Sequence, residues 1–390
     1  MKYPFPYIKN ISQVLPLIAN KPEFVVAQCG EFTVVNYVVS MSDTFPDVVT
    51  EGDAILRELR GIIFNSETGD IISRPFHKFW NANEREETLL NALDFTKKHS
   101  VFTKLDGSMI RPFYVNGEVR FGTKMGLTDV AAQAEEFARN HDGYVSFSEL
   151  CLASDMTPIF EWTSRKQRIV IDYPVDNLVL LAVRHMHTGE YFDHATIVRD
   201  FGYTGIIPVV AEHPIVKSAQ EFISTTRQLK GIEGFVVAWD DGHRIKIKCE
   251  DYIIKHKIKE LMLFEKNIVD IIVNEKADDI KAFLPPEDKA RFEAFETKFW
   301  EGVKKTADDI TGLYTANVDK YPTKKEFAVN FANKQDVRIR PYLFEIAYGR
   351  TAYELLIVYL RKMCTSQTKV DESRWVFNCK WNIAKNVLSE

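Results

Sequence analysis

Residues 100–124 read SVFTKLDGSMIRPFYVNGEVRFGTK, and this stretch decides how the chain should fold. Apolar and polar residues alternate on both sides of VNGE, a sequence typical of a β-hairpin turn. The motif TKLDGS, residues 103–108, stands at the end of the first strand. Alternation puts Lys104 and Asp106 on one face, and Gly107 permits a tight turn behind them. The stretch therefore predicts antiparallel strands with a lysine and a carboxylate at a strand end.

The same strand pattern continues through the first two thirds of the chain, where NSETGD, HTGE and DDGH are further turn signals. Two helices are predicted within it, over 128–141 with Thr128 as N-cap and over 218–231 ending on Gly231. After residue 252 the apolar spacing is helical. We therefore predict an α+β protein: an antiparallel, β-rich domain over 1–252 and an all-helical C-terminal domain over 253–390.

Three signals mark helices in the second part of the sequence. Pro285 and Pro286 stand at the start of a helix, where proline costs least. Thr323 and Glu326 form a capping-box pattern. The stretch PYLFEIAYGRTAYELLIVYLRK, residues 341–362, is a third region of helical apolar spacing.

Charge is distributed unevenly along the chain. The 390 residues carry a net charge of −5, which taken alone argues against a nucleic-acid partner. The net charge is −8 over residues 1–252, +3 over 253–390 and +5 over the last eighty residues. The distribution is therefore compatible with nucleic acid, and the difference between the two parts indicates separate tasks.

Composition excludes several classes of protein. A hydrophobic share of 45% can build a core, so a disordered chain is excluded. The five cysteines are dispersed without a CxxC pair, which argues against a disulfide scaffold and a zinc site. The apolar runs are too short to span a bilayer, and no signal peptide precedes them. We expect a cytoplasmic protein without a membrane partner.

Four groups of residues are candidates for chemistry. Lys104 could act as a nucleophile, the alternative being a surface Lys–Asp pair before a turn. In RIKIK, alternation puts Lys246 and Lys248 on one face, where they could clamp a polyphosphate or simply face water. Glu161 and Glu233 stand among apolar residues and suit a metal or a ribose hydroxyl, or else reach solvent at a strand end.

The fourth group mixes cations with aromatic residues near turns. Its members are Arg60 in ELRGIIF, Lys78 and Trp80 in RPFHKFWN, and Lys124 in GTKMG. Such mixtures suit a nucleotide, because rings stack on a base while cations meet phosphate. The alternative is an aromatic minicore with snorkelling basic side chains.

Taken in order, KLDGS, FEW, EGFVV and KIK resemble motifs I, III/IIIa, IV and V of the covalent nucleotidyltransferases. Serine after KxDG, with RGIIF and RPFHKFWN upstream, is most similar to the RNA ligase 1 family of T4-like phages. The resemblance covers most of residues 50–255. It implies an ATP-dependent RNA ligase that joins 5′-phosphate and 3′-hydroxyl ends through a lysyl-adenylate, with ATP and Mg²⁺ or Mn²⁺ as its cofactors.

The resemblance also implies a role for each matching residue. Lys104 would be the AMP-carrying nucleophile, and Asp106, Lys246 and Lys248 would complete the catalytic set. Glu161, Glu233 and Asp106 would serve the metal. The nucleotide would be held by Arg60, Lys78, Trp80, Thr103, Gly107, Lys124, Glu161, Gly234, Lys246, Lys248 and Tyr252. Trp80 stands where the commoner residue is phenylalanine.

The implied partners are RNA ends, among them a nicked tRNA anticodon loop that the helical domain would recognise. The resemblance also implies a monomer that acts in RNA repair. If the protein is phage-encoded, it would act in the host cell. The basic residues considered for RNA contact are Arg338, Arg340, Lys362, Arg374 and Lys380. They could equally be a solvated face. Other readings stay open: a DNA ligase, a capping guanylyltransferase, or a non-catalytic binder of RNA ends.

Overall fold

The computed structural model describes residues 4–40, 43–200, 205–216 and 218–382. Contacts divide this chain into two compact units, one up to Ile253 and one from Ile254 onward. The first unit is mixed α and β with antiparallel sheets, and the second is built of helices, so the predicted fold class is confirmed.

The first unit contains twelve strands among the described residues. They are β1 (Phe24–Cys29), β2 (Phe32–Tyr37), β3 (Arg60–Asn65), β4 (Ile71–Ser73), β5 (His99–Lys104), β6 (Ser108–Val115), β7 (Glu118–Gly122), β8 (Met156–Thr163), β9 (Asn177–His185), β10 (Glu212–His213), β11 (Gly234–Trp239) and β12 (Arg244–Lys248). They form three four-stranded sheets in the orders β1-β2-β3-β4, β10-β5-β11-β12 and β7-β6-β8-β9.

The helices of this unit are α1 (Leu15–Ile18), α2 (Glu51–Glu58), α3 (Asp129–Asn140), α4 (Tyr144–Ala153), α5 (His194–Asp200) and α6 (Ala219–Gln228), and α7 (Glu250–Met262) begins in it. The predicted cap of α3 is confirmed, because the Thr128 side chain accepts from the Ala131 amide. Helix α6 ends before the predicted Gly231, because Leu229 already has extended dihedrals.

Two cores hold the sheets of this unit. Helices α3 and α4 cover one face of the β7-β6-β8-β9 sheet, with Ala134 and Phe147 among the buried residues of that core. Helix α6 covers one face of the β10-β5-β11-β12 sheet through Ile223. On the opposite face of that sheet, Phe102 and Ala238 pack against Val179 of β9. The two sheets therefore face each other, and their polar ends line the space between them.

The second unit consists of helices. Beyond α7 they are α8 (Glu265–Val273), α9 (Ala277–Lys281), α10 (Pro286–Val318), α11 (Lys324–Asn330), α12 (Arg340–Ile346), α13 (Ala352–Met363) and α14 (Gln367–Phe377). Pro286 is the first residue of α10, and Thr323 caps α11 by accepting from the Glu326 amide, as predicted. The periodic stretch 341–362 is interrupted, because Gly349 has a φ of +90° and Thr351 caps a new helix. No described helix is long and apolar enough to cross a membrane.

Candidate active site

Three strands bring the two central lysines into register. Gly234, at the start of β11, pairs with Lys104 of β5 on one side and with Lys248 of β12 on the other. Glu233 precedes this rung and is only 3% exposed. Its carboxylate lies 2.8 Å from Lys104 Nζ and 2.9 Å from Lys248 Nζ. One buried carboxylate therefore holds two ammonium groups at the rung.

Gly234 is required by this close approach. Its φ is +146°, and a Cβ atom there would collide with the backbone carbonyl of Ile247. Gly107 meets a similar restriction, because a Cβ atom would collide with the carbonyl of Trp162. Both glycines thus permit backbone to approach backbone beside the lysines.

Glu161 lies on β8, across from the lysine rung. Its Oε1 accepts a hydrogen bond of 3.1 Å from the Gly107 amide. Removal from water raises the pKa of Glu161 to about 8; Lys104 opposes this shift, and the nearby Glu233 and Asp106 add to it. The carboxylates of Glu161, Glu233 and Asp106 therefore share a region in which they would stabilise a bound cation.

Lys246 is one rung further along β12 and is half-buried. Its Nζ lies 5.3 Å from the centre of the Phe79 ring. Removal from water, with repulsion from Arg60, Lys104 and Lys78, lowers the pKa of Lys246 to about 7. A bound anion at this place would relieve that repulsion.

Arg60, Lys78 and Lys124 converge on a residue that the sequence analysis missed. The Tyr37 hydroxyl, at the end of β2, accepts a 3.5 Å hydrogen bond from Lys78 Nζ. Burial raises the pKa of Tyr37, but the charges of the three cations outweigh it, and the pKa lies below its ordinary value. In the sequence, Tyr37 is part of an ordinary strand pattern. The only signal that could have marked it as a site residue is its position at the end of that strand.

Asp106 is 3% exposed and is bonded to the protein on both oxygens. Oδ2 accepts from the Val170 and Ile171 amides at 2.7 Å, and Oδ1 accepts from the Tyr252 hydroxyl at 2.6 Å. The predicted residues Asp106 and Tyr252 are thus brought together. In this conformation the Asp106 carboxylate anchors the segment after β8.

Two predicted nucleotide contacts have protein partners. Thr103 Oγ1 lies 2.7 Å from His213 Nε2. Trp80 is 2% exposed and packs with Phe45 in the core, with the Arg57 guanidinium 4.6 Å from its ring centre. Its carbonyl accepts the Lys246 amide at 2.9 Å. Packing covers the Trp80 ring in this structure, and its contact with a nucleotide stays a prediction.

In the helical unit, several of the basic residues considered for RNA contact are engaged within the protein. Arg374 binds Glu265 at 2.7 Å, and Arg338 binds Asp336 at 2.6 Å. The described residues include no group of three or more His, Cys, Asp or Glu side chains arranged to hold a metal ion.

Comparison with known proteins gives consistent matches. A family model described as RNA ligase matches residues 58–263. A protein of Thermovibrio ammonificans named as an RNA ligase is 30% identical over 296 residues, which cover 72% of this chain and 75% of that protein. RNA ligase 1 of bacteriophage TS2126 is 29% identical over 203 residues, covering 49% of this chain and 50% of the phage protein.

A solved structure also aligns with this chain. It is an archaeal ATP-dependent RNA ligase, which is 15% identical, covers 73% of this chain and 74% of its own, and has a TM-score of 0.45. The segment matched by the family model includes every site residue predicted from the sequence, from Arg60 to Tyr252.

Proposed function

This chain belongs to the RNA ligase family of the T4 RNA ligase 1 type, and from that premise we propose that Lys104 forms a covalent adenylate from ATP during RNA joining. The observation that carries the proposal is the rung on which Lys104 and Lys248 share the Glu233 carboxylate. A nucleophilic amine and a second cation for phosphate then stand side by side. The first unit is the adenylation domain.

In the first step, Lys104 Nζ attacks the α-phosphorus of ATP, a P–N bond forms, and the bond to the pyrophosphate oxygen breaks. The amine attacks only as the free base, so its proton must leave Nζ. Glu233, 2.8 Å away, holds Nζ in position, and the proton leaves to solvent as Nζ attacks. Lys246 and Lys248 stabilise the charge that gathers on the leaving phosphates.

The cluster of Arg60, Lys78, Lys124 and Tyr37 supplies a second group of phosphate contacts. Three cations that lower the pKa of one hydroxyl produce a positive field in a small volume. A polyphosphate chain would satisfy these charges. We assign the cluster to the triphosphate and to the phosphate of the RNA end.

The carboxylates fit a divalent metal ion. Glu161 has a raised pKa beside Glu233 and Asp106, and a metal cation bound among the three carboxylates would displace its proton. Mg²⁺ and Mn²⁺ accept one or two carboxylates and complete their shell with water and phosphate oxygens, so a preformed three-residue site is unnecessary. When bound, the metal neutralises phosphate charge. Glu161 and Glu233 would hold it, and Asp106, close to both, would anchor the segment after β8 through the Val170 and Ile171 amides.

Two further steps complete the reaction. The adenylate moves from Lys104 to the 5′-phosphate of an RNA end, where a pyrophosphate linkage replaces the P–N bond. A 3′-hydroxyl then attacks that phosphate, AMP leaves, and a phosphodiester remains. Positioning and charge neutralisation provide most of the acceleration in such transfers.

The helical unit is assigned to RNA recognition, with a nicked tRNA anticodon loop as the substrate to test and a monomer as the functional form. Lys362 and Lys380 are exposed and available for backbone contact. One relative is the RNA ligase 1 of a bacteriophage, and action inside a host cell in RNA repair belongs to the proposal. A ligase of DNA or a capping enzyme is disfavoured, because the described residues after Lys248 form helices.

The experiment incubates the protein with Mg²⁺ and α-labelled ATP or GTP and analyses it on a denaturing gel. We expect label from ATP on wild type and none on Lys104→Ala. Arg120→Ala, on a strand outside the site, is the matched control and should label normally. Equal label on Lys104→Ala would refute the assignment, label from GTP alone would indicate capping, and no label on wild type would indicate a non-catalytic binder.

A further inference from the structure

A cavity lies on the face of the β10-β5-β11-β12 sheet that also carries Lys104 and Lys248. The register defines three successive rungs on this face: Lys104–Gly234–Lys248, then Phe102–Val236–Lys246, then Ser100–Ala238–Arg244. The cavity has a volume of about 730 Å³ and is lined at the third rung by Ser100, Ala238 and Arg244. Arg244 is four positions before Lys248 in the strand, which corresponds to about 13 Å.

Arg244 is a buried cation without a counter-charge. The residue is 8% exposed, and its buried Nε has no hydrogen-bond partner within the described chain. It lies 4.0 Å from the centre of the Tyr191 ring and 5.4 Å from that of Phe76. Stacking fixes the guanidinium plane at the cavity wall while its donors remain unused.

The other titratable side chains that line the cavity already have partners: Glu190 interacts within the protein, and His194 lies 3.2 Å from Glu212. Asp240 binds Lys98 at 2.9 Å, and Asp193 accepts from the Thr196 amide and hydroxyl. Asp241 accepts from the His243 amide. The guanidinium of Arg244 is therefore the group that a ligand would pair with, and the ligand should carry an anionic group.

The remaining lining is aromatic. Phe5, Phe102, Tyr191, Phe192 and Trp239 all contribute to the wall. Rings offer stacking for a flat heterocycle, and arginine is the side chain best suited to phosphate. The volume is within the range that small-molecule sites occupy.

We propose that this cavity binds one nucleoside monophosphate unit, with its phosphate on Arg244 and its base among the aromatic side chains. The unit would be bound in addition to the adenylate on Lys104. The inference rests on the proposed function for its biological meaning, since an RNA ligase meets such units both in RNA strands and as free nucleotides. The cavity itself is independent of that function.

The test counts bound AMP per full-length chain by equilibrium dialysis. We expect two sites in wild type, one in Arg244→Met, and a second site weakened at least tenfold in Arg244→Lys. Arg120→Met, which removes a partly exposed arginine paired with Glu135 elsewhere in the unit, is the matched control and should keep both sites. One site in wild type, or two in Arg244→Met, would overturn the proposal.

Two further measurements keep the result interpretable. The melting temperature of Arg244→Met should not fall, because the substitution removes an unpaired buried charge. Lysine labelling from α-labelled ATP should be equal in wild type and Arg244→Met. Absence of label from both would remove the ligase assignment and leave the AMP count valid. Displacement of AMP from the second site by a short 5′-phosphorylated RNA would identify the RNA strand as its source, and lack of displacement a free nucleotide.

Discussion

Glu161→Gln should stabilise the first unit in a manner that depends on pH. The folded protein holds the Glu161 proton up to about pH 8, whereas the unfolded chain releases it near the ordinary value of 4.5. Between these pH values the folded state binds more protons, so this group lowers the free energy of unfolding as pH rises. Glutamine cannot ionise, and it can still accept from the Gly107 amide through its carbonyl oxygen.

The size of the effect follows from the same shift. A rise from 4.5 to about 8 corresponds to an upper limit of about 5 kcal/mol. Water reaches the half-buried carboxylate and screens part of the penalty, so we expect a gain of about 2 kcal/mol. For a unit of this size, such a gain raises the melting temperature by roughly 4–8 °C.

The assay is thermal unfolding of wild type and Glu161→Gln at intervals between pH 4 and pH 9, without added metal. The difference in melting temperature should be absent near pH 4, grow through neutral pH and level off above pH 8. Adding Mg²⁺ at pH 8 should stabilise wild type more than the variant, because the cation favours the ionised form. Parallel pH profiles would refute the pKa argument and the metal assignment built on it.

Three other substitutions test the scaffold. Glu58→Gln should lower the free energy of unfolding by about 3–5 kcal/mol, because Arg74 and Arg184, both 0% exposed, lose their shared carboxylate. Denaturant unfolding measures this loss, and a loss below 1 kcal/mol would contradict the buried triad. Gly234→Ala should abolish adenylation and lower the melting temperature, since its Cβ collides with backbone; normal label would exclude that packing. Arg111→Met should speed amide exchange in the turn from Thr123 to Gly126, which contains Lys124, because the Arg111 guanidinium donates to the carbonyls of residues 122 and 123; unchanged exchange would show that the turn does not depend on Arg111.

Local sequence was enough to predict how each lysine is presented. Period-two alternation puts Lys246 and Lys248 on one face of a strand, and the TKLDGS turn puts Lys104 at a strand end. Each of these placements depends on residues close together in the chain. The pairing of β5 with β11, which makes the rung, joins distant segments and was not predicted from the spacing.

Contacts between distant segments were not predictable in this way. Tyr37 meets cations from three separate segments, and no spacing rule connects them to β2. The burial of Trp80 was not predictable either: its place in the motif suggested a nucleotide contact, and the fold packs its ring against Phe45 and the Arg57 guanidinium. A single sequence does not reveal which face of an aromatic ring the fold will cover.

Because Lys104 and Lys248 share the Glu233 carboxylate, any ion that binds at this site must replace an ion pair within the protein. An anion that draws Lys104 or Lys248 away leaves the other lysine as the partner of Glu233. A cation that captures Glu233 alone leaves two ammonium groups facing each other without a counter-charge. A metal and a phosphate that arrive together give both the carboxylate and the ammonium groups new partners. A metal–polyphosphate pair is thereby preferred over a metal ion by itself.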